Sequence, residues 1–144
     1  PPRSTLFPYT TLFRSVDLVE KALKISPEIQ FATVCNMLGV VKYSEHRSDA
    51  RNFLTKSERR KSIESATRAW LLRNEFASKI GKCKFVIAQY GKIKRIVIPL
   101  GDNHILYMTA TQNADHNKIT NKAIKLRLGK ITKTIKSQQE QIIA

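Results

Sequence analysis

Between Lys82 and Leu100 the chain reads KCKFVIAQYGKIKRIVIPL, two strand-like runs that meet at Tyr90-Gly91. With that dipeptide as a two-residue hairpin turn, Phe85 faces Ile96, Cys83 faces Ile98 and Val86 faces Arg95. One face then carries Cys83, Phe85, Ile87, Ile96 and Ile98, and the other Val86, Ala88, Ile93 and Val97. A sheet with one wet face alternates apolar and polar residues along each strand. Here both faces are apolar, so helices must cover both. That requirement points to a layered α+β fold with the sheet in the middle.

The remaining segments supply the layers. Ile105–Thr111 reads as a further strand, joined to Lys92–Leu100 by Gly101-Asp102-Asn103. Upstream, the longest helical pattern runs from about Ser57 to Ile80, with Thr55 or Ser57 as cap and Gly81 as the stop. Ile63, Ala66, Ala69, Trp70, Phe76, Ala77 and Ile80 share one arc of that helix. Val16–Ile25 reads as a short amphipathic helix ended by Ser26-Pro27, because a residue before proline avoids the helical region. Ile29–Cys35 and Val40–Tyr43 form a hairpin, with Ile29, Phe31, Thr33 and Cys35 on one face. Glu45–Thr55 is polar and irregular. A last helix begins near Ala114, capped by Asn113 or Asp115, and carries Ile119, Ala123, Ile124, Leu126 and Leu128. The expected order is α-β-β-α-β-β-β-α, a five-stranded antiparallel sheet with helices on both faces.

The two ends stand apart. Thr5–Ser15, TLFPYTTLFRS, resembles the translation of a sequencing-adapter oligonucleotide, so residues 1–15 are expected to lie outside the domain. The domain is expected over Val16–Leu128, with residues 129–144 as a basic tail or helical extension. The chain has 144 residues and a formal net charge of +15, from 26 Lys and Arg against 11 Asp and Glu. That length fits one domain able to bury about two-thirds of its unfolded surface without disulfide or metal. No apolar run approaches the roughly 20 residues that cross a bilayer. No signal peptide is visible, so a reducing cytoplasm is the expected setting. Cys35 and Cys83 lack CxxC spacing, fall on non-neighbouring strands and read as small hydrophobes.

Motifs of catalysis are missing: there is no GxSxG, Walker sequence or HExxH. His46 falls in the polar loop, His104 at a strand start and His116 near a helix start. Asp102 and His104 lie near one end of a strand, Asp115 and His116 near the other. A metal site of His104, His116 and Asp115 therefore does not converge. The expectation is no enzyme, no metal and no cofactor.

The element order resembles the roadblock/dynein-light-chain superfamily, in which a central helix covers one sheet face and terminal helices the other. The segments FATVCNMLGVV, RNEFASKIGKCKFVIAQYGKIKRIVIPLGDNHILYMT and NADHNKI look like a family of small uncharacterised proteins from ammonia-oxidising archaea. That resemblance spans roughly Val16–Leu128. Likeness to roadblock modules implies dimerisation through the central helix and the strand after it, and partnership with a small GTPase as regulator or scaffold. Profilin, longin and PAS-like folds share much of this order, so fold alone leaves function open.

Two surfaces stand out. Leu71 falls in the polar arc of the long helix, Leu72 at its margin, and Arg73 within the apolar arc. Beside Lys82–Gln89, a strand with an open edge, they mark an expected dimer interface of Leu71, Leu72, Arg73, Lys82 and Lys84. The second surface is basic. Lys82–Arg95 holds five positive charges and no acid, and Lys118–Lys136 seven and no acid. Lys92, Lys94, Arg95, Lys118, Lys122 and Lys125 are the candidates for binding a polyanion such as nucleic acid. The aromatic interleaving of RNA-binding sheets is missing. The sequence thus reads as a non-enzymatic, homodimeric protein-interaction module. The alternatives are a polyanion-binding module and a profilin/PAS-like sensor, which needs a cavity between sheet and helix.

Overall fold

The computed structural model describes residues 14–127. The expected adapter-derived segment and the basic tail lie outside those residues, except that Arg14 and Ser15 open the first helix. Helix α1 is described over residues 14–23. Then come β1 (Ile29–Asn36), β2 (Val41–His46), α2 (Lys56–Asn74), the single turn α3 (Ala77–Ile80), β3 (Val86–Gln89), β4 (Ile93–Leu100) and β5 (His104–Thr111). Helix α4 is described over residues 116–127. The strands form one antiparallel sheet in the order β2-β1-β5-β4-β3, which leaves β2 and β3 at the edges.

Both sheet faces are covered, as the two-sided strands require. Ile96, Ile98, Leu106 and Met108 pack with Val19 and Ala22 of α1 and Ile119 and Ala123 of α4. On the other face Phe31, Val97, Ile105 and Tyr107 pack with Ile63, Ala66 and Trp70 of α2. Burial of these side chains is the main source of stability, at roughly 25 cal/mol per Å² of apolar surface removed from water.

Three local readings are corrected. The β3–β4 turn is Gly91-Lys92, closed by the Tyr90 amide on the Ile93 carbonyl at 2.8 Å. Val86 therefore pairs with Val97, not Arg95. A two-residue slip leaves every side chain on its expected face, since the strand period is two. Cys83 escapes that rule because it precedes the paired segment, and it packs on the α2 side. In β1 an irregularity between Ile29 and Phe31 puts one extra residue opposite β5. Such a bulge flips the residue beyond it, so Ile29 joins Ala32 and Val34 on the α1/α4 side. The third correction is a helix break. The periodic run to Ile80 ends as α2 at Asn74, where the Glu75 and Phe76 amides turn back to the carbonyls of Leu72 and Arg73.

Arg47, from the irregular segment, ties α1 to the sheet. Its Nη2 donates to the carbonyls of Leu23 and Ser26, and its Nε donates to the Ile29 carbonyl at 2.7 Å. The last carbonyls of a helix, here that of Leu23, have no intrahelical partner, and a cation there also suits the helix dipole. Arg47→Ala is expected to cost about 1.5–3 kcal/mol, the range for hydrogen bonds to charged groups, read as a fall in the urea midpoint. Thr55 caps α2: its Oγ1 accepts the Glu58 amide at 3.1 Å, and Glu58 Oε1 accepts the Thr55 amide at 2.9 Å. At α4, Asp115 Oδ1 accepts the Lys118 amide at 3.1 Å, which selects Asp115 over Asn113.

Candidate functional site

Helix α2 is held down by Ile63, Ala66, Thr67 and Trp70, spaced three and four apart. The next positions on that stripe are Arg73 and Asn74, where α2 stops. From Leu71 to Ile80 only Ala77 is even partly buried. Leu71 and Leu72 are 47% and 59% exposed. Phe76 and Ile80, placed in the core by periodicity, are 57% and 83% exposed, because the break after Asn74 takes them off the buried stripe. Arg73 is exposed as well.

The chain then enters β3 late. Lys82 and Lys84 were expected on the edge strand, but pairing starts only at Val86. Lys82 Nζ lies 3.5 Å from Asp102 Oδ1 in an exposed ion pair, which contributes little. Among the described residues β3 pairs with β4 alone, so its other edge is open. Leu71, Leu72, Phe76, Ile80, Phe85 and Tyr90 are six of the eleven exposed large hydrophobics among the described residues. Single exposed leucines mean little, whereas a large contiguous apolar patch on a surface goes with contacts to other molecules. Phe76, Ile80 and Phe85 escaped the sequence reading. The signal was the apolar spacing itself, credited to the core.

The basic candidates divide between layers. Lys118, Lys122 and Lys125 are exposed along α4. Lys92 is exposed in the β3–β4 turn, and Arg95 Nη1 donates to Ser62 Oγ at 3.1 Å, on the α2 side. Ser62 Oγ also lies 2.8 Å from the Tyr107 hydroxyl, so the trio locks α2 to β4 and β5. Lys94, expected on the basic surface, is instead buried. Its Nζ donates to the Ala114 carbonyl at 2.8 Å and lies 2.9 Å from His116 Nδ1. The six residues do not form one face.

A cleft of about 430 Å³ opens on the α2 side of the sheet. The 47–55 loop and the first turn of α2 stand over it, and its floor is the ends of β1, β4 and β5. Arg59 Cζ sits 5.3 Å from the Phe31 ring centroid, and the His46 ring is 4.5 Å from the same ring. Arg51 Cζ and Lys92 Nζ lie 5.2 and 5.4 Å from the Phe53 centroid. The sequence placed His46 in the loop; it ends β2 and faces this cleft. Nothing in the loop's composition announced a cavity, because its walls come from four separated segments.

Burial, and then the nearby Arg59 charge, hold the His46 imidazole below its ordinary value of 6.5. Burial, and then Lys42, do the same to His104. For both, the unfolded chain binds protons more readily than the folded one, so their contribution is complete above about pH 6.5 and lost as pH falls below it. Melting temperature is expected to drop between about pH 7 and pH 5, and the His46→Gln, His104→Gln pair to flatten that slope. Cys35, fully buried in β1, has its thiol pushed up to about 12 by burial, so it stays protonated and unreactive. His104 and His116 stand at opposite ends of β5. No helix among the described residues is long and apolar enough to cross a membrane.

Superposition on solved structures gives the architecture a precedent. The gliding protein MglB of Thermus thermophilus aligns with TM-score 0.67 and 14% identity, over 83% of this chain and 85% of that one. A roadblock/LC7 domain from Streptomyces avermitilis aligns with TM-score 0.62 and 15% identity, over 88% and 96%. The fold is that of the roadblock/LC7 domain. An MglB with a tetrameric arrangement aligns with TM-score 0.67 and 14% identity, over 83% and 85%. By sequence, no protein-family model and no curated protein matches the chain. Within the roadblock fold, the bare end of α2 and the open β3 edge are consecutive in sequence. The cleft lies toward the other end of α2.

Proposed function

We propose that the chain is a non-enzymatic, homodimeric interaction module of roadblock type that docks a second protein, a small GTPase, as its regulator or scaffold. The observation that carries the dimer is the segment from Leu71 to Phe85. It is almost wholly exposed, carries five large apolar side chains, and leads into an edge strand with an unpaired side. Two such strands meeting across a two-fold axis would extend the sheet and cover the apolar residues of both copies. The tetrameric arrangement of one MglB structure fits a fold that self-associates. The GTPase partner follows from likeness to roadblock modules.

Sedimentation of the protein at micromolar concentration tests the first step. A mass twice that of the 16.4 kDa chain is the expected result, and a monomer overturns the reading. High salt should not dissociate the dimer, since its contacts are mainly apolar. Polyanion binding is the weaker reading, because its six candidate residues are split between layers and one of them is buried.

A further inference from the structure

The cleft beneath the 47–55 loop carries three cations, Arg51, Arg59 and Lys92, and no carboxylate lines it. None of the three has an ion-pair partner among the described residues. Asp49, two residues from Arg51, is exposed and does not line the cleft, and two other nearby acids are engaged elsewhere. Glu28 accepts from the Thr111 hydroxyl, and Glu58 is taken up by the Thr55 cap. Arg51 and Lys92 both hold positions over the single Phe53 ring. Two like charges at one ring repel each other, although solvent damps the repulsion because both side chains are exposed. An anion seated between them would remove it.

The walls say more about that anion. Phe53, Leu54 and Ile93 give the cleft an apolar side, which a bare inorganic ion would not use. His46 Nδ1 is buried at the cleft without a hydrogen-bond partner, and the Asn52 and Gln112 amides line the rim. The volume lies within the range of small-ligand sites, where apolar walls and a few polar groups fix orientation. We infer that this cleft binds a small phosphorylated ring compound, of nucleoside-monophosphate size. Arg51, Arg59 and Lys92 hold its phosphate, and the ring lies against Phe53, Leu54 and Ile93. This site is separate from the proposed dimer surface, and neither reading depends on the other.

Calorimetric titration of the full chain with adenosine 5′-monophosphate, inorganic phosphate and adenosine tests it. The monophosphate is expected to bind one per chain, with phosphate alone at least about tenfold weaker and adenosine failing to saturate. Lys92→Gln, in an exposed turn, and Arg59→Gln should each raise the monophosphate dissociation constant about tenfold. Lys118→Gln on α4 should leave it unchanged. Binding also ought to shift the His46 imidazole resonances. No monophosphate binding at millimolar concentration overturns the inference. So does phosphate binding as tightly as the monophosphate, or an equal loss in Lys118→Gln, which would reduce the effect to general attraction by a basic protein. Thermal melts of each variant establish that a lost signal is not lost folding.

Discussion

Trp70→Ala is expected to destabilise the domain by about 3–5 kcal/mol, the range for deleting a large buried aromatic. Trp70 is 1% exposed and lies in the cluster of Phe31, Ile63, Val97, Ile105 and Tyr107. It is also the last buried residue of α2, so its loss leaves a cavity and loosens the helix's hold on the sheet at once. A domain of this size has only about 5–15 kcal/mol in reserve, so a substantial part would go. The chain has one tryptophan, so the variant must be followed by circular dichroism rather than indole fluorescence. Under urea its midpoint should fall well below that of the parent. Leu72→Ala, a comparable deletion on the exposed side, should shift the stability of the single chain by no more than about 0.5 kcal/mol, read at concentrations low enough to keep the protein monomeric. Equal losses from the two would mean that α2 does not pack through Trp70.

The second large effect is on assembly. Leu71→Glu with Leu72→Glu should turn the dimer into a monomer at micromolar concentration. Each leucine position, counted over both copies, contributes about 2 kcal/mol, and together the two raise the dissociation constant roughly a thousandfold. A glutamate pair facing its symmetry copy adds like-charge repulsion, since a two-fold interface brings each residue near its counterpart. The fold itself should survive, because both side chains are about half exposed or more in the single chain. The decisive readout is mass by sedimentation, with the far-ultraviolet spectrum unchanged. A variant that stays dimeric would move the interface away from the end of α2.

How legible was this in the residues? The sheet was readable because apolar residues on both faces of β4 leave few architectures open, and those positions fill both cores. Helix α2 was readable as far as Trp70, where periodicity and burial agree. Past that point periodicity continues but the sheet does not lie beneath it, so Phe76 and Ile80 kept the spacing of core residues without the core. Spacing measures which side a residue lies on, not whether anything is there to meet it. Ile29 was misplaced for a different reason: a single bulge inverts faces, and no residue type announces it. Lys94 alternates like a solvated lysine, and is buried because its stem reaches a carbonyl 20 residues along the chain. The cleft was invisible since its charges and rings converge only in three dimensions.

The strand order has a consequence for biogenesis. At the centre of the sheet β1 lies beside β5, the first strand against the last. The local hairpins β1–β2, β3–β4 and β4–β5 can form early, but neither core closes until β5 docks beside β1. During synthesis β5 must therefore leave the ribosome before the sheet is shielded. For that interval the facing rims of β1 and β5 stand open, and a nascent-chain chaperone would find its grip there.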